Sequence, residues 1–281
     1  SSIYEHDRML VDLLQLREAG IDPSDVDRYV DERRAVHDAA FPPHQVGEAA
    51  LRRFFAAVSP YGTDRPLGLG GAWGALRTRT RRQVPRRVVD VVQASPRPRM
   101  VDAVGFDWYD PVASHALRVP GRRADGGRGH GRDWTFGRAM WDTVSSPAGL
   151  ASWCATEAAL RPGLPVWVVE NGMATRVHDG HASPRADGMV RPRYVREHLG
   201  AVADAVAAGV PVCAYLHWSL VDNYEWGSYE PRLGLFGLER LGPEAVRWLD
   251  TDSDGQDAAG EFTRVVAGLR RGDRSVLDPP A

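Results

Sequence analysis

The sequence contains no lysine, because all 35 of its basic residues are arginines. A chain without lysine can form neither a Schiff base with a carbonyl substrate nor a phosphate-binding loop of the GxxxxGK type. Cysteine is scarce as well: Cys154 and Cys213 lie far apart, without the spacing of a redox motif or a zinc site. We expect both thiols to be reduced and buried. We also expect no cofactor and no metal, since none of the 9 histidines shows metal-ligand spacing.

Long apolar runs are absent too. No segment approaches the roughly 18 apolar residues that a membrane helix needs, and residues 1–10 lack the basic and apolar regions of a signal peptide. The sequence therefore predicts a cytoplasmic protein that does not enter a membrane. Nucleic acid is not an expected partner, because the formal net charge is -2 and the arginine-rich stretch at 77–87 contains no aromatic residue.

Asparagine occurs at only two positions, Asn171 and Asn223. Both lie in short stretches that concentrate polar and aromatic residues, VVENG at 168–172 and AYLHWSLVDNYEWGSYEPRLGLF at 214–236. An amide retained only in these stretches indicates that they form a shaped polar site. The simpler alternative for Asn171 is that it ends a strand through its own turn chemistry.

The hydropathy pattern changes near Val101. Residues 1–100 predict mostly helices, whereas the later chain alternates short apolar runs with helical stretches. Continuous apolar strands separated by helices indicate a parallel sheet covered by helices, which is the α/β class. Two polar, glycine-rich inserts at 121–133 and 174–188 are predicted loops. The predicted strands are 101–109, 165–170 and 211–218, and the predicted helices lie near 147–160, 192–208 and 256–270.

Each predicted strand ends in polar or aromatic side chains. Asp107 and Tyr109 end the first strand, Glu170 ends the second, and His217 and Trp218 end the third. The carboxyl ends of parallel strands meet at one edge, where (β/α) barrels keep their catalytic groups. These side chains are therefore predicted to lie together at the same end of the barrel. His217 is predicted to orient a backbone group.

Three segments resemble glycoside hydrolase family 1, the β-glucosidase family. VVENGM resembles its nucleophile motif, [IV]-[TV]-E-N-G, and VGFDWYDP resembles its strand-6 segment, G-I-N-Y-Y. YLHWSLVDNYEWGSYEPRLGLF resembles its strand-8 segment. The segments follow the family's order and cover roughly residues 100–270. The resemblance implies a TIM (β/α)8-type barrel and a retaining β-glycosidase that forms a glycosyl-enzyme intermediate.

The resemblance also implies individual roles. Glu170 would be the nucleophile, and Tyr109 would hydrogen-bond its carboxylate and orient it. Family members that act on 6-phospho sugars replace the residue at the position of Glu225, so a neutral β-glycoside is the expected substrate. Asp222 and Arg232 are expected to be structural partners within their loop. The predicted substrate-binding residues are Asp107, Asn171, Trp218, Glu225 and Trp226.

The sequence departs from the family in its front half. The family's acid/base glutamate lies in a T-x-N-E-P motif, and this chain has no Asn-Glu dipeptide. At about 30 residues per βαβ unit, residues 1–100 are also too few for five further units. We therefore predict one barrel-type domain over 1–281, incomplete or with a divergent, mostly helical front over 1–100, and with family-like strands over 101–281. The glutamates of that front are Glu5, Glu18, Glu32 and Glu48, and the sequence gives no geometric reason to choose any of them as the missing acid.

Several alternatives follow from the missing motif. The helical front could cover the gap in the barrel, a second copy or a partner chain could complete it, or the chain could be a fragment of a longer enzyme. The alternative to an active enzyme is an inactive sugar-binding or scaffold relic. The missing acid motif favours the relic, whereas the intact Glu170 favours the enzyme.

Overall fold

The computed structural model describes residues 2–40, 71–110, 144–178, 181–183, 185, 187–225, 229–242 and 245–279. The chain forms two compact units, Ser1–Asp102 and Ala103–Ala281. The division lies near the predicted change of pattern at Val101. A single barrel-type domain over 1–281 stays a prediction.

The described elements of the first unit are helical. They are α1 (Ser2–Leu14), a 3-10 turn (Pro23–Asp25), α2 (Val26–Ala40) and α3 (Gly71–Ala94). The Asp22 side chain caps the turn by accepting a hydrogen bond from the backbone N–H of Ser24, which satisfies a donor at the start of the helix. Apolar residues three or four positions apart share a helix face and form the core of this unit: Met9, Leu13, Leu16, Val26, Val30, Val89 and Val92.

The second unit alternates strands and helices. Proline stands in the first turn of two of its helices, where the missing N–H is not needed. A short 3-10 helix, Arg274–Leu277, follows the last helix. The elements are β1 (Val104–Trp108), α4 (Pro147–Leu160), β2 (Val166–Asn171), β3 (Thr175–His178), β4 (His181–Ser183), α5 (Arg191–Ala207), β5 (Val212–His217), β6 (Pro231–Arg232), β7 (Leu238–Arg240), β8 (Val246–Trp248) and α6 (Ala258–Arg270).

Strands β1, β2 and β5 form a parallel sheet in the order β1-β2-β5. This confirms the predicted α/β class and the three predicted strands. Side chains on one face pack into a core with the helices; its buried members are Leu150, Cys154, Val168 and Val202. On the opposite face, which we call the open face, Trp167, Val169 and Leu216 are 44%, 39% and 48% exposed. Exposed apolar side chains of this size are unusual for a parallel sheet.

Two sequence predictions are corrected in this unit. The insert at 174–188 is not only loop, because β3 and β4 pair within it as an antiparallel hairpin and β3 also pairs with β6. Cys213 is exposed, whereas Cys154 is buried as expected. The other polar insert, 121–133, lies outside the described residues.

The buried side chain of Arg191 connects several segments of the second unit. Its guanidinium donates to Asp252 at 2.7 Å, to the carbonyl of Met173 at 3.1 Å and to the carbonyl of Arg232 at 2.7 Å. Both charged partners are 0% exposed, and a buried pair of this kind is costly to break from one side. The contacts fix the segment after β2 against β6. Among the described residues, every helix is too short or too polar to cross a bilayer.

Candidate active site

The carboxyl ends of β1 and β2 bring Tyr109 and Glu170 together. Asp107 pairs with Glu170 in the sheet, and the Tyr109 hydroxyl donates to Glu170 Oε2 at 2.9 Å. Burial raises the pKa of Tyr109 well above its usual range, and the hydrogen bond to Glu170 raises it further. The carboxylates of Glu225 and Asp107 act in the same direction. Tyr109 is therefore a protonated donor beside a group of carboxylates.

The end of β5 brings in Trp218 and Glu225. The indole N–H of Trp218 donates to Glu225 Oε1 at 2.8 Å, and the backbone N–H of Trp218 donates to the carbonyl of Asn171 at 3.0 Å. Glu225 is only 9% exposed, so the indole fixes a carboxylate that has little contact with solvent. The other predicted tryptophan, Trp226, lies outside the described residues.

The side chain of Asn171 lies in the protein interior and not in the predicted substrate site. Its side chain is 0% exposed and bonds only to protein groups: it donates to the Trp108 carbonyl and to the Tyr194 hydroxyl, each at 2.9 Å. Its amide oxygen accepts from the Tyr215 hydroxyl at 2.7 Å. Both N–H groups of the amide are therefore taken, and the one lone pair left on its oxygen lies in a fully buried side chain that a sugar hydroxyl does not reach. The prediction that Asn171 binds substrate is therefore wrong.

The loop that carries Glu225 is held by Asp222. Its carboxylate accepts from the backbone N–H groups of Gly234 and Leu238, at 2.9 and 3.3 Å, and from the hydroxyl of Ser253. Arg232 lies 3.6 Å from the same carboxylate. These contacts confirm the structural roles expected for Asp222 and Arg232.

His217 differs from its predicted role. Neither ring nitrogen has a hydrogen-bond partner within the described residues, and the ring lies against Phe262 with 5.9 Å between centroids. The prediction that His217 orients a backbone group is therefore wrong. Burial, together with the nearby charges of Arg191 and His198, lowers the pKa of His217 to about 3.

The stability of the protein should depend on pH through His217. Below its usual pKa of 6.5 an unfolded His217 binds a proton, whereas the folded one stays neutral down to about 3. The free energy of unfolding should thus fall as the pH drops through that window, by up to about 1.4 kcal/mol per pH unit. Urea unfolding of the wild type and of His217→Phe across this range measures the effect. The variant should lose part of the slope, and equal slopes would contradict the assignment.

A family model for glycosyl hydrolase family 1 matches residues 99–251, which is more than half of the 281-residue chain. The chain belongs to glycosyl hydrolase family 1. The match covers both hydrogen-bonded pairs, Tyr109 with Glu170 and Trp218 with Glu225. The predicted resemblance to this family is confirmed.

Individual proteins match smaller portions of the chain. A 6-phospho-β-galactosidase of Streptococcus equi subsp. zooepidemicus is 35% identical over 104 residues, which cover 36% of this chain and 22% of that protein. A β-galactosidase of Sulfolobus acidocaldarius is 44% identical over 82 residues, covering 29% and 15%. A solved β-glucosidase of Thermotoga maritima shares 20% identity and a TM-score of 0.42, covering 66% of this chain and 38% of that one. The chain thus spans less than a quarter of the length of these two curated relatives.

Sequence reasoning missed the supports of this family 1 site. Tyr194 and His198, four positions apart on α5, stack with 3.7 Å between ring centroids, and Tyr194 contacts the residue that follows Glu170. Their spacing marks one helix face. It did not reveal that this face meets the end of β2.

Proposed function

We propose that this chain supplies the nucleophile of a retaining β-glycosidase, with Glu170 as the attacking group. The observation that carries the proposal is the hydrogen bond from Tyr109 to Glu170 Oε2 at the strand ends. A nucleophilic carboxylate needs to be ionised and aimed. The Tyr109 hydroxyl orients the carboxylate through one oxygen and leaves the other oxygen for attack.

The reaction proceeds in two steps. In the first, a Glu170 oxygen forms a bond to the anomeric carbon, and the bond from that carbon to the leaving oxygen breaks. An aryl leaving group departs with its electron pair as a phenolate. In the second, water attacks the anomeric carbon of the glycosyl ester, which releases the sugar, frees the carboxylate and gives up one proton to solvent.

Trp218 and Glu225 are the proposed sugar-binding pair, together with Asp107 and Trp226. An indole stacks on the apolar C–H face of a pyranose, and a carboxylate accepts hydrogen bonds from sugar hydroxyls. Because Glu225 Oε1 is held by Trp218, its second oxygen keeps a fixed direction. This fixes the ring for attack by Glu170.

We expect a preference for neutral sugars over 6-phospho sugars, although one relative is a 6-phospho-β-galactosidase. Glu225 is buried and bonded as a carboxylate acceptor, so a phosphate dianion beside it would be repelled. Hydrolysis of a 4-nitrophenyl β-glycoside should therefore exceed that of its 6-phosphate by about tenfold or more in kcat/KM. The opposite preference would contradict the role of Glu225.

The acid half of the reaction is not supplied by an N-E-P motif in this chain. Loss of a general acid slows the departure of a poor leaving group by about 10² to 10⁴-fold, so activated aryl glycosides are the proposed substrates of the chain by itself. We further infer that its barrel is incomplete, which the exposed Trp167, Val169 and Leu216 support. Completion by a second copy or a partner chain stays a prediction, and analytical ultracentrifugation would measure the assembly state.

Trapping tests the proposal. A 2,4-dinitrophenyl 2-deoxy-2-fluoro-β-glycoside forms a slowly hydrolysed glycosyl ester and needs no acid to expel its leaving group. Incubation should add one fluoroglycosyl group to the protein, and peptide mapping should place it on Glu170. Folded protein that binds a β-glycoside in calorimetry, but is not labelled by any configuration of the reagent, would instead be the sugar-binding relic.

A further inference from the structure

Strand β2 holds one residue more than its neighbours near its carboxyl end. Between Val168 and Asn171, three residue steps along β2 match two along residues 106–108 of β1 and two along residues 215–217 of β5. The register shifts on both sides of the strand. This is a β-bulge, which redirects the side chains that follow it.

The extra residue decides which way Glu170 faces. Val168 is buried toward the helices, and strict alternation would direct Glu170 to the same side. Instead Asn171 occupies the helix-covered face, where it meets Tyr194 of α5. Glu170 pairs with the exposed Asp107. Without the bulge, the carboxylate would point into the helix layer.

Hydrogen bonds hold the bulge at Asn171. The side chain bonds to β1 through the Trp108 carbonyl, to α5 through Tyr194 and to β5 through Tyr215. Its backbone carbonyl also accepts from the N–H of Trp218. A buried amide that loses such partners becomes costly. The network therefore favours this register over the regular one.

Strand β1 leaves room for the extra residue at Gly105. A Cβ placed there would lie 2.6 Å from Cγ2 of Val169, which is closer than two non-bonded carbon atoms can approach. Glycine thus leaves space for Val169, the residue of β2 that the pairing with β1 skips. This observation is independent of the hydrogen bonds at Asn171.

We propose that Asn171, Tyr194 and Tyr215 are positioning residues, which hold the bulge of β2 and so keep Glu170 directed at Tyr109. The inference rests on the proposed function in one respect, that Glu170 is the nucleophile. It assigns the second residue of the E-N-G sequence to the orientation of the first.

Removal of single hydroxyl groups tests the inference in the full chain. Tyr194→Phe and Tyr215→Phe each remove one hydrogen bond to Asn171 and hardly change the packed volume. Tyr29→Phe is the matched control, because its hydroxyl bonds to Asp12 in the first unit. The readouts are the rate constant of trapping at saturating reagent and the reagent concentration that gives half of that rate.

Both test variants should trap about tenfold or more slowly, because a misplaced reacting group loses rate steeply. The half-saturating concentration should change by less than about twofold, since sugar contacts are kept. Tyr29→Phe should behave as the wild type. Equal trapping rates in all four proteins, or a loss matched by the fraction of unfolded protein in circular dichroism, would overturn the inference.

Gly105→Ala supplies a second test that leaves the hydrogen bonds intact. The new methyl group collides with Val169, so trapping should slow, and the added Val169→Ala substitution should restore it by removing the colliding atom. A double variant as slow as Gly105→Ala would count against the proposed role of the bulge.

Failure of Glu170 as the nucleophile can be distinguished from failure of the positioning role. If the wild type is not labelled, Glu170 is not the nucleophile, and hydrogen exchange then decides the positioning role. The amide of Trp218, which donates to Asn171, should exchange faster in Tyr194→Phe and Tyr215→Phe than in Tyr29→Phe. Unchanged exchange would overturn the inference.

Discussion

Replacing Glu170 with glutamine should lower hydrolysis of a 2,4-dinitrophenyl β-glycoside on the order of 10⁴-fold or more. A neutral amide is a poor nucleophile and cannot form the glycosyl ester. The fold should persist, because glutamine retains the size of the side chain and can still accept from Tyr109. Initial rates of phenolate release measure the loss.

Two controls make this result specific to Glu170. Glu197→Gln applies the same change to a glutamate on α5 that pairs with Arg193 at 2.7 Å, and its rate should remain that of the wild type. Glu170→Gly leaves space for azide, which should restore turnover and yield the α-glycosyl azide. An unchanged rate in Glu170→Gln would eliminate the proposed nucleophile.

The other large effect is expected at Gly172, the last residue of the E-N-G sequence. A Cβ at this position would lie 1.8 Å from the carbonyl oxygen of Trp218 and 3.0 Å from its carbonyl carbon. Both atoms belong to the backbone, so no rotamer change relieves the clash. Gly172→Ala should therefore reduce the free energy of unfolding by about 3 kcal/mol or more, measured by chemical denaturation.

Gly242→Ala is the matched control. A Cβ at Gly242 would meet nothing within 4 Å, so this variant should remain within about 0.5 kcal/mol of the wild type. Any Gly172→Ala protein that stays folded should also lose trapping at Glu170, because Trp218 has to move. Wild-type stability in Gly172→Ala would contradict the close approach of Gly172 to the Trp218 carbonyl.

The parallel strands and their shared edge could be predicted because buried strands appear as continuous apolar runs. The same reasoning placed Tyr109 and Glu170 at the carboxyl-terminal edge of the sheet, and the family resemblance supplied their roles. The orientation of Asn171 could not be predicted in this way. It depends on the register of β2 against both neighbours and on the face of α5 that meets it, and neither is encoded near residue 171.

Other differences between the predicted and the observed structure also arise from features that a local sequence pattern does not show. The hairpin of β3 and β4 lies in a polar, glycine-rich segment, where no apolar alternation signals a strand. His217 lacks hydrogen-bond partners within the described residues because it packs against Phe262 of α6, a contact between residues far apart in the sequence. Local pattern gives the type of an element, whereas these outcomes depend on long-range packing.

The open face of the sheet also has an optical consequence. Trp167 is 44% exposed at the centre of that face, and indole fluorescence shifts to shorter wavelength when water is removed from around the ring. Any additional strand or subunit that covered the sheet would change the emission of this indole. The difference spectrum between the wild type and Trp167→Phe thus gives the protein its own fluorescent indicator of whether this face is covered.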